Sequence, residues 1–349
     1  MRKQKIVIIG AGIVGASIAY QLAKQNQEVT VIERHPASAL EVTEKSFAWI
    51  HTTHSVAPEY WHLYDAAVEE YHVLQQELPE LFIQWHGALT WGDPALREPH
   101  RLQKLNRQQI EEMEPNLQDY PNEAIFASEE GAVDPIALTE LLLSKAQEYG
   151  AKVQFDTNVT QLQQEDSRLV GVHTSKGFVE SDIVVLAAGM GVPRLCNPLG
   201  FPVPVEPSPS ILIRMKTANK LIRTLISNAQ FEARQPTEHT LLAAEDYIDE
   251  SEENGPATVG KRAFETLRRS LKGGNQLELE SIKVGLRPMP EDGYPIVGFH
   301  DHMKGLYLAV MHSAITLSPL IARLAASEMI HRDLRNELDP CRLSRFKDY

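Results

Sequence analysis

Lys5-Ile6-Val7-Ile8-Ile9-Gly10-Ala11-Gly12-Ile13-Val14-Gly15 is the stretch from which the rest of the chain is read. The β-branched run Lys5–Ile9 has the character of a strand buried on both faces of a parallel sheet. Residues 10–15 then make a turn, and the spacing of Ile18, Ala19 and Leu22 predicts a helix over 16–25. Val29–Ile32 reads as a second buried strand, closed by Glu33, which completes a β-α-β unit. Each glycine has a task there: Gly10 makes the tight turn, Gly12 lets a pyrophosphate approach the backbone, and Gly15 lets helix and strand pack closely. N–H groups at the helix terminus hold the diphosphate. Glu33 stands where a carboxylate accepts from ribose hydroxyls, and its charge repels a 2′-phosphate. The motif alone leaves open which dinucleotide binds.

Working outward, residues 42–55 are irregular and rich in Thr, Ser and His, and residues 58–78 predict an amphipathic helix with Trp61, Tyr64, Val68, Tyr71 and Leu78 as apolar positions. Short apolar runs at 83–91 and 124–127 flank a short helix at 108–113. Asp134 and Pro135 open a helix that Gly150 closes. Strands are expected at 152–155, 159–162 and 182–186. The prolines of 199–209 suggest a crossing between domains without regular pairing. Residues 210–216, 223–227 and 240–244 alternate like antiparallel strands, 246–256 is an acidic loop, and a helix covers 258–271. Strands at 281–286 and 306–310 precede a last helix at 319–331, with Ser318 as its cap. This pattern implies an α/β architecture: a Rossmann-like, glutathione-reductase-type nucleotide domain from residues 1–80, 133–205 and 284–349. A second, α+β domain on an antiparallel sheet takes residues 81–132 and 206–283 and holds substrate.

Composition removes several classes of function. The 349 residues are 43% hydrophobic and 23% charged, as in ordinary globular proteins, with a formal net charge of -13 that disfavours nucleic acid. Cys196 and Cys341 make no disulfide framework, which fits a reducing, cytoplasmic setting. No apolar run reaches the roughly 18 residues of a membrane helix. Arg2, Lys3 and Lys5 before an apolar run imitate a signal peptide, but Gly10, Gly12 and Gly15 interrupt that run.

Several motifs beyond the glycine turn are similar to those of the D-amino-acid oxidase and glycine oxidase family of FAD-dependent amine oxidoreductases. They are Ser46-Phe-Ala-Trp-Ile50, Asp134-Pro-x-x-Leu138, Gly150-Ala-x-Val153 and Val184-Val-Leu-Ala-Ala-Gly189. The late block is Gly285-Leu-Arg287-Pro-x-Pro-x-Asp292-Gly293-x-Pro295-x-x-Gly298, followed by His312-Ser-Ala-x-Thr316-Leu-x-Pro319. The resemblance covers most of the chain. It implies FAD as the cofactor, with Ile13 and Val14 meeting the pyrophosphate through backbone. Glu33 and Arg34 would flank the adenosine ribose, Thr43 and Ser46 the phosphates or ribityl chain, and Val159 the adenine edge. Ala188 and Gly189 would lie beneath the dinucleotide, while Ser313, Ala314, Ile315, Thr316 and Leu317 line the flavin ring. The expected helix start near Pro319 aims its positive end at that ring, where the reduced flavin carries negative charge. Ala314 and His312 depart from the family pattern. No cysteine stands at the late position where sarcosine-oxidase-like relatives attach flavin, so the FAD is expected to be noncovalent.

The activity implied is oxidation of a small amine or amino acid, with O2, a quinone or a protein as electron acceptor and a homo-oligomer as a possible assembly. A flavin-dependent 2-hydroxy-acid dehydrogenase and a non-catalytic flavoprotein subunit are the alternatives. By the resemblance Arg287, ending its strand, anchors the substrate carboxylate, which a planar guanidinium does bidentately. His312 is the second candidate, as an orienting or proton-accepting group. His51, His54 and Tyr247 are weaker candidates for substrate contact: the histidines are expected at the surface, and Tyr247 would have to close over the substrate from within an acidic loop. His300 and His302 beside Asp301 read as a solvated turn, not a metal site. Tyr60, Trp61, Tyr64 and Tyr71 read as core.

Overall fold

The computed structural model describes residues 3–52, 56–92, 102–247 and 249–346. His54 lies outside them. Seven α-helices are formed among the described residues: α1 (Ile13–Lys24), α2 (Trp61–Glu77), α3 (Arg107–Met113), α4 (Pro135–Glu148), α5 (Val192–Cys196), α6 (Pro256–Ser270) and α7 (Ala314–His331).

One sheet of six strands runs in the order Ile296–Phe299, Leu306–Val310, Ile183–Leu186, Lys5–Ile9, Glu28–Ile32, Lys152–Gln154. All neighbours are parallel except the first pair. Its central strands are apolar throughout Ile6–Ile9 and Ile183–Leu186 because both faces are covered. Ile6, Ile8, Ile183 and Val185 pack on one side with α1, α2, α4 and α7. Val7, Ile9, Val184 and Leu186 pack on the other with the three-stranded meander Val159–Glu165, Arg168–Thr174, Gly177–Glu180. Asp134 caps α4 as expected, accepting from the N–H groups of Ile136 (2.9 Å) and Ala137 (3.1 Å).

A second sheet of eight strands runs from Glu278–Pro290 through Val205–Lys216, Thr240–Asp246, Glu232–Thr237, Leu225–Asn228, Ala88–Trp91 and Glu123–Ala127 to Leu102–Asn106. It is antiparallel except where Leu225–Asn228 meets Ala88–Trp91. Its apolar face, with Ile211, Ile213, Met215 and Ala243, packs against Ala263 and Leu267 of α6.

Three expectations are corrected. The proline-rich 199–209 segment is not wholly irregular: Val205–Pro209 begins the long strand and pairs with 286–290. Pairing with Thr240–Asp246 starts only at Ser210, so Pro207 and Pro209 lie where one side of the strand has no ladder to feed. Arg287 does not end a strand but lies within Glu278–Pro290. The last helix starts at Ala314, five residues before Pro319, so Ser318 is buried inside α7 and caps nothing.

Candidate active site

A cavity of about 1180 Å³ runs between the two large sheets, past the carboxyl ends of the parallel strands Lys5–Ile9, Glu28–Ile32 and Ile183–Leu186. Ligands of open α/β sheets sit in this position. The cavity exceeds the roughly 300–1,000 Å³ of ordinary small-molecule pockets, as a dinucleotide needs.

Gly10 and Gly12 form the wall at the first strand-to-helix turn. Gly10 has φ +105°, and a Cβ there would stand 2.5 Å from the Ala187 carbonyl oxygen. Gly15 does not reach the cavity; a Cβ on it would fall 2.0 Å from Gly10 O, which is the close helix-to-turn packing expected of it. The first intrahelical bond of α1 is Ala16 N–H to Gly12 O (3.0 Å), so the N–H groups of Ile13, Val14 and Gly15 lack helical acceptors. The capping residue, Gly12, has no side chain to offer. Ile13 N–H is directed to Thr43 Oγ1 at 3.3 Å, leaving Val14 on the cavity wall with the positive end of a 12-residue helix behind it.

At one end Glu33 accepts from Ala11 N–H (2.8 Å) and His35 N–H (3.0 Å), which fixes the carboxylate and leaves each oxygen a lone pair. Arg34 beside it is paired with Glu41. Val159 lines this end as well, with its carbonyl accepting from Arg194 at 3.4 Å. Ser46 lines the middle, with its hydroxyl accepting from Ala48 N–H (3.0 Å), and Ala188 and Gly189 form the floor.

The far end is built by α7 and the second sheet. Ser313, Ala314 and Ile315 line it, as does His312. Thr316 and Leu317 do not; both are fully buried, and Thr316 Oγ1 donates to Trp49 O at 3.1 Å. The early start of α7 causes this, because the second half of its first turn rotates into the core. No side chain caps α7, so its positive end faces the cavity at Ser313. The Ser313 hydroxyl instead meets His51 Nε2 at 3.0 Å. His51 is thus buried and on the cavity wall, contrary to the expected exposure, and it packs between Trp49 and Tyr64.

Arg287 reaches the cavity from the edge strand. Its Nη2 donates to Ser208 Oγ at 2.7 Å and lies 2.9 Å from Asp246 Oδ1, and its Nε donates to Ser208 O at 3.3 Å. Tyr247 has no part in this. It packs under the second sheet just past the end of the Thr240–Asp246 strand, its hydroxyl donates to Glu250 (2.8 Å), and it is absent from the wall. Trp61 is exposed, and Tyr64 is a wall residue rather than core alone. His300 is buried against Phe201, with Nδ1 accepting from the N–H groups of His302 and Met303 (3.1 Å each), so it is no solvated turn. Among the described residues no group of three His, Cys, Asp or Glu could hold a metal ion.

Sequence reasoning missed Asp246, Ser208, Tyr64 and Glu130. Glu130 is fully buried and receives Trp49 Nε1–H (2.8 Å) and Thr52 N–H (2.6 Å), which holds the wall segment that carries His51.

The site therefore has a glycine cradle over an uncapped helix terminus, a carboxylate fixed by two backbone N–H groups and a second uncapped terminus at the far end. These groups fit FAD. The family described as DAO, FAD dependent oxidoreductase, matches residues 5–328. The chain belongs to that family. As an FAD dependent oxidoreductase it is similar to the D-amino acid dehydrogenase of Cereibacter sphaeroides, with 26% identity over 89% of this chain and 88% of the relative. It is 25% identical to the glycine oxidase of Pseudomonas aeruginosa over 95% of this chain and 96% of the relative. The crystal structure of glycine oxidase from Geobacillus kaustophilus shares the fold, with a TM-score of 0.86 and 21% identity over 99% of each chain. Among the described residues no helix is long and apolar enough to cross a membrane.

Proposed function

We propose that this oxidoreductase dehydrogenates the C–N bond of a small amino acid or amine, giving an imine that water hydrolyses. The observation that carries the reading is Arg287: a guanidinium held by Ser208 in the cavity wall of the second sheet, in the same cavity as the uncapped end of α7. The names of the relatives, dehydrogenases and oxidases of amino acids, support the same class.

Bound FAD would accept the hydride from the substrate carbon. Gly10, Gly12 and Val14 would hold the pyrophosphate, Glu33 and Val159 the adenosine half, and Ser313–Ile315 the flavin end. Binding is noncovalent in this reading, because Cys196 and Cys341 are both buried outside the cavity wall. Arg287 takes the substrate carboxylate as a charge-assisted pair, which fixes the α-carbon relative to the far wall. His312 and His51 border that space and orient or receive protons from the amine. The uncapped helix end at Ser313 would favour negative charge on the part of the cofactor held beside it. The residues 1–80, 133–205 and 284–349 would act as the cofactor domain and the remainder as the substrate domain, except that 284–290 continue a strand of the second sheet and so belong to the substrate side. Buried free thiols are in keeping with a reducing, cytoplasmic setting, and the electron acceptor would be O2, a quinone or a protein.

The test is anaerobic bleaching of the flavin band by D- and L-amino acids and N-methylated amines, followed by Arg287→Met. The variant should raise KM for amino acids by about 100-fold, a cost of about 2.7 kcal/mol, while retaining FAD and leaving amines without a carboxylate little changed. An unchanged KM for amino acids would remove Arg287 from the substrate site.

A further inference from the structure

The anchoring guanidinium already has a carboxylate. Asp246 lies at the end of the Thr240–Asp246 strand, opposite Ser210, and Arg287 lies opposite Ser208 on the other side of the same central strand. Ser208 and Ser210 are two residues apart, so Arg287 and Asp246 emerge on one face of the sheet, and that face is the cavity wall. Their side chains meet at 2.9 Å. Asp246 is 69% exposed in its side chain and Arg287 only 21%, so the carboxylate is free to swing off the guanidinium along the wall while the guanidinium, tied to Ser208, stays. Glu232, opposite Ala244 in the next strand pair, extends the negative wall on the same face.

An incoming ligand therefore exchanges ion pairs rather than simply forming one. A monoanion such as a 2-hydroxy acid displaces Asp246 from Arg287 and gains the pair it breaks, leaving Asp246 beside it as a like charge. A zwitterionic amino acid also displaces Asp246, but its ammonium group then stands within reach of the freed carboxylate, so one pair is lost and two are made. From this exchange we infer that Asp246 is the specificity-determining residue of the cavity, selecting zwitterionic amino acids against monoanionic 2-hydroxy acids at Arg287. The inference rests on the carboxylate-anchoring reading of Arg287 and names the residue that decides which carboxylates it serves.

The test uses oxidised, FAD-loaded protein and two ligands of matched shape that have no α-hydrogen to lose, 2-aminoisobutyrate and 2-hydroxyisobutyrate. Dissociation constants are read at neutral pH from perturbation of the flavin spectrum. Wild-type protein should prefer the amino acid. Asp246→Asn should reduce that preference by roughly fivefold or more, the size expected for one partly exposed charge, and Asp246→Glu should keep most of it. Preference unchanged in Asp246→Asn overturns the inference. Arg287→Met separates the two readings. If it leaves both affinities as in wild type, the anchor itself is wrong; if it abolishes both while Asp246→Asn keeps the preference, the role of Asp246 alone fails. Should the quaternary carbon keep both ligands out, the same ratio is read as KM of the best amino acid against Ki of its 2-hydroxy counterpart, with the same two outcomes.

Discussion

Carboxyl groups crowded on one wall cannot all ionise without cost, and Glu245 shows this. Burial pushes its carboxyl up to about 7, and the charges of Glu232 and Asp246 add to the rise. Its native value lies above the ordinary 4.5, so folding takes up a proton between those two pH values. The stability this group contributes is greatest at low pH and is lost as pH rises through about 7. Glu245→Gln should therefore melt higher than wild type at about pH 8, by about 1–3 °C, and the difference should vanish near pH 4.5. Thermal denaturation at the two pH values checks it, and a constant difference would locate the effect elsewhere. Asp246 was illegible in the sequence because its partner Arg287 lies on a distant stretch of chain, and Glu245 because its shift comes first from burial, which only the packed sheet creates. Arg287 was legible because its motif is local. His51 was misjudged because its burial depends on Trp49, Tyr64 and Ser313, which converge only once α2 and α7 pack.

Periodicity located most helices and strands at the scale of elements, and the late misreading concerns where α7 begins. Pro319 marks a helix start in isolation because a proline at the first position loses no hydrogen bond. Inside α7 it does lose one, since it has no N–H for the carbonyl of Ile315. The Tyr71 hydroxyl of α2 donates to that carbonyl at 2.5 Å, so a neighbouring helix satisfies the group that proline orphans. Tyr71 was read as core from its spacing, and it is fully buried, but its hydroxyl is what permits the longer helix. Tyr71→Phe keeps the ring and strands the carbonyl, which should cost about 1–2 kcal/mol. A melting temperature lower by about 2–4 °C, with the ring packing intact, is the expected outcome. No change would mean that water replaces the hydroxyl.

The whole molecule closes through a contact that no local pattern announces. Burial on both faces of the parallel sheet was legible in the continuous apolar runs of Lys5–Ile9 and residues 182–186, and the glycine turn after the first of them announced a nucleotide site. The closure of the C-terminal segment was not, because it runs through one buried carboxylate. Glu328 of α7 is fully buried and receives Arg342 Nη1 (3.1 Å), the Tyr307 hydroxyl (2.8 Å) and Arg335 N–H (2.7 Å). Arg342 reaches it by crossing Gly298, where a Cβ would stand 2.6 Å from Nη1 at a φ of +142°. The glycine that ends the late motif is thus required by an arginine 44 residues further on, and the pair binds α7 to the edge of the parallel sheet. Removing one member of such a pair leaves a buried charge without its partner, which costs about 3–5 kcal/mol, far more than a surface pair. Arg342→Met should therefore lower the melting temperature by about 5 °C or more and loosen FAD, since α7 also supplies the flavin end of the cavity. Glu328→Gln in the same chain should recover part of the loss by removing the stranded charge. If the single variant melts within about 1 °C of wild type, the closure is held by packing and not by the ion pair.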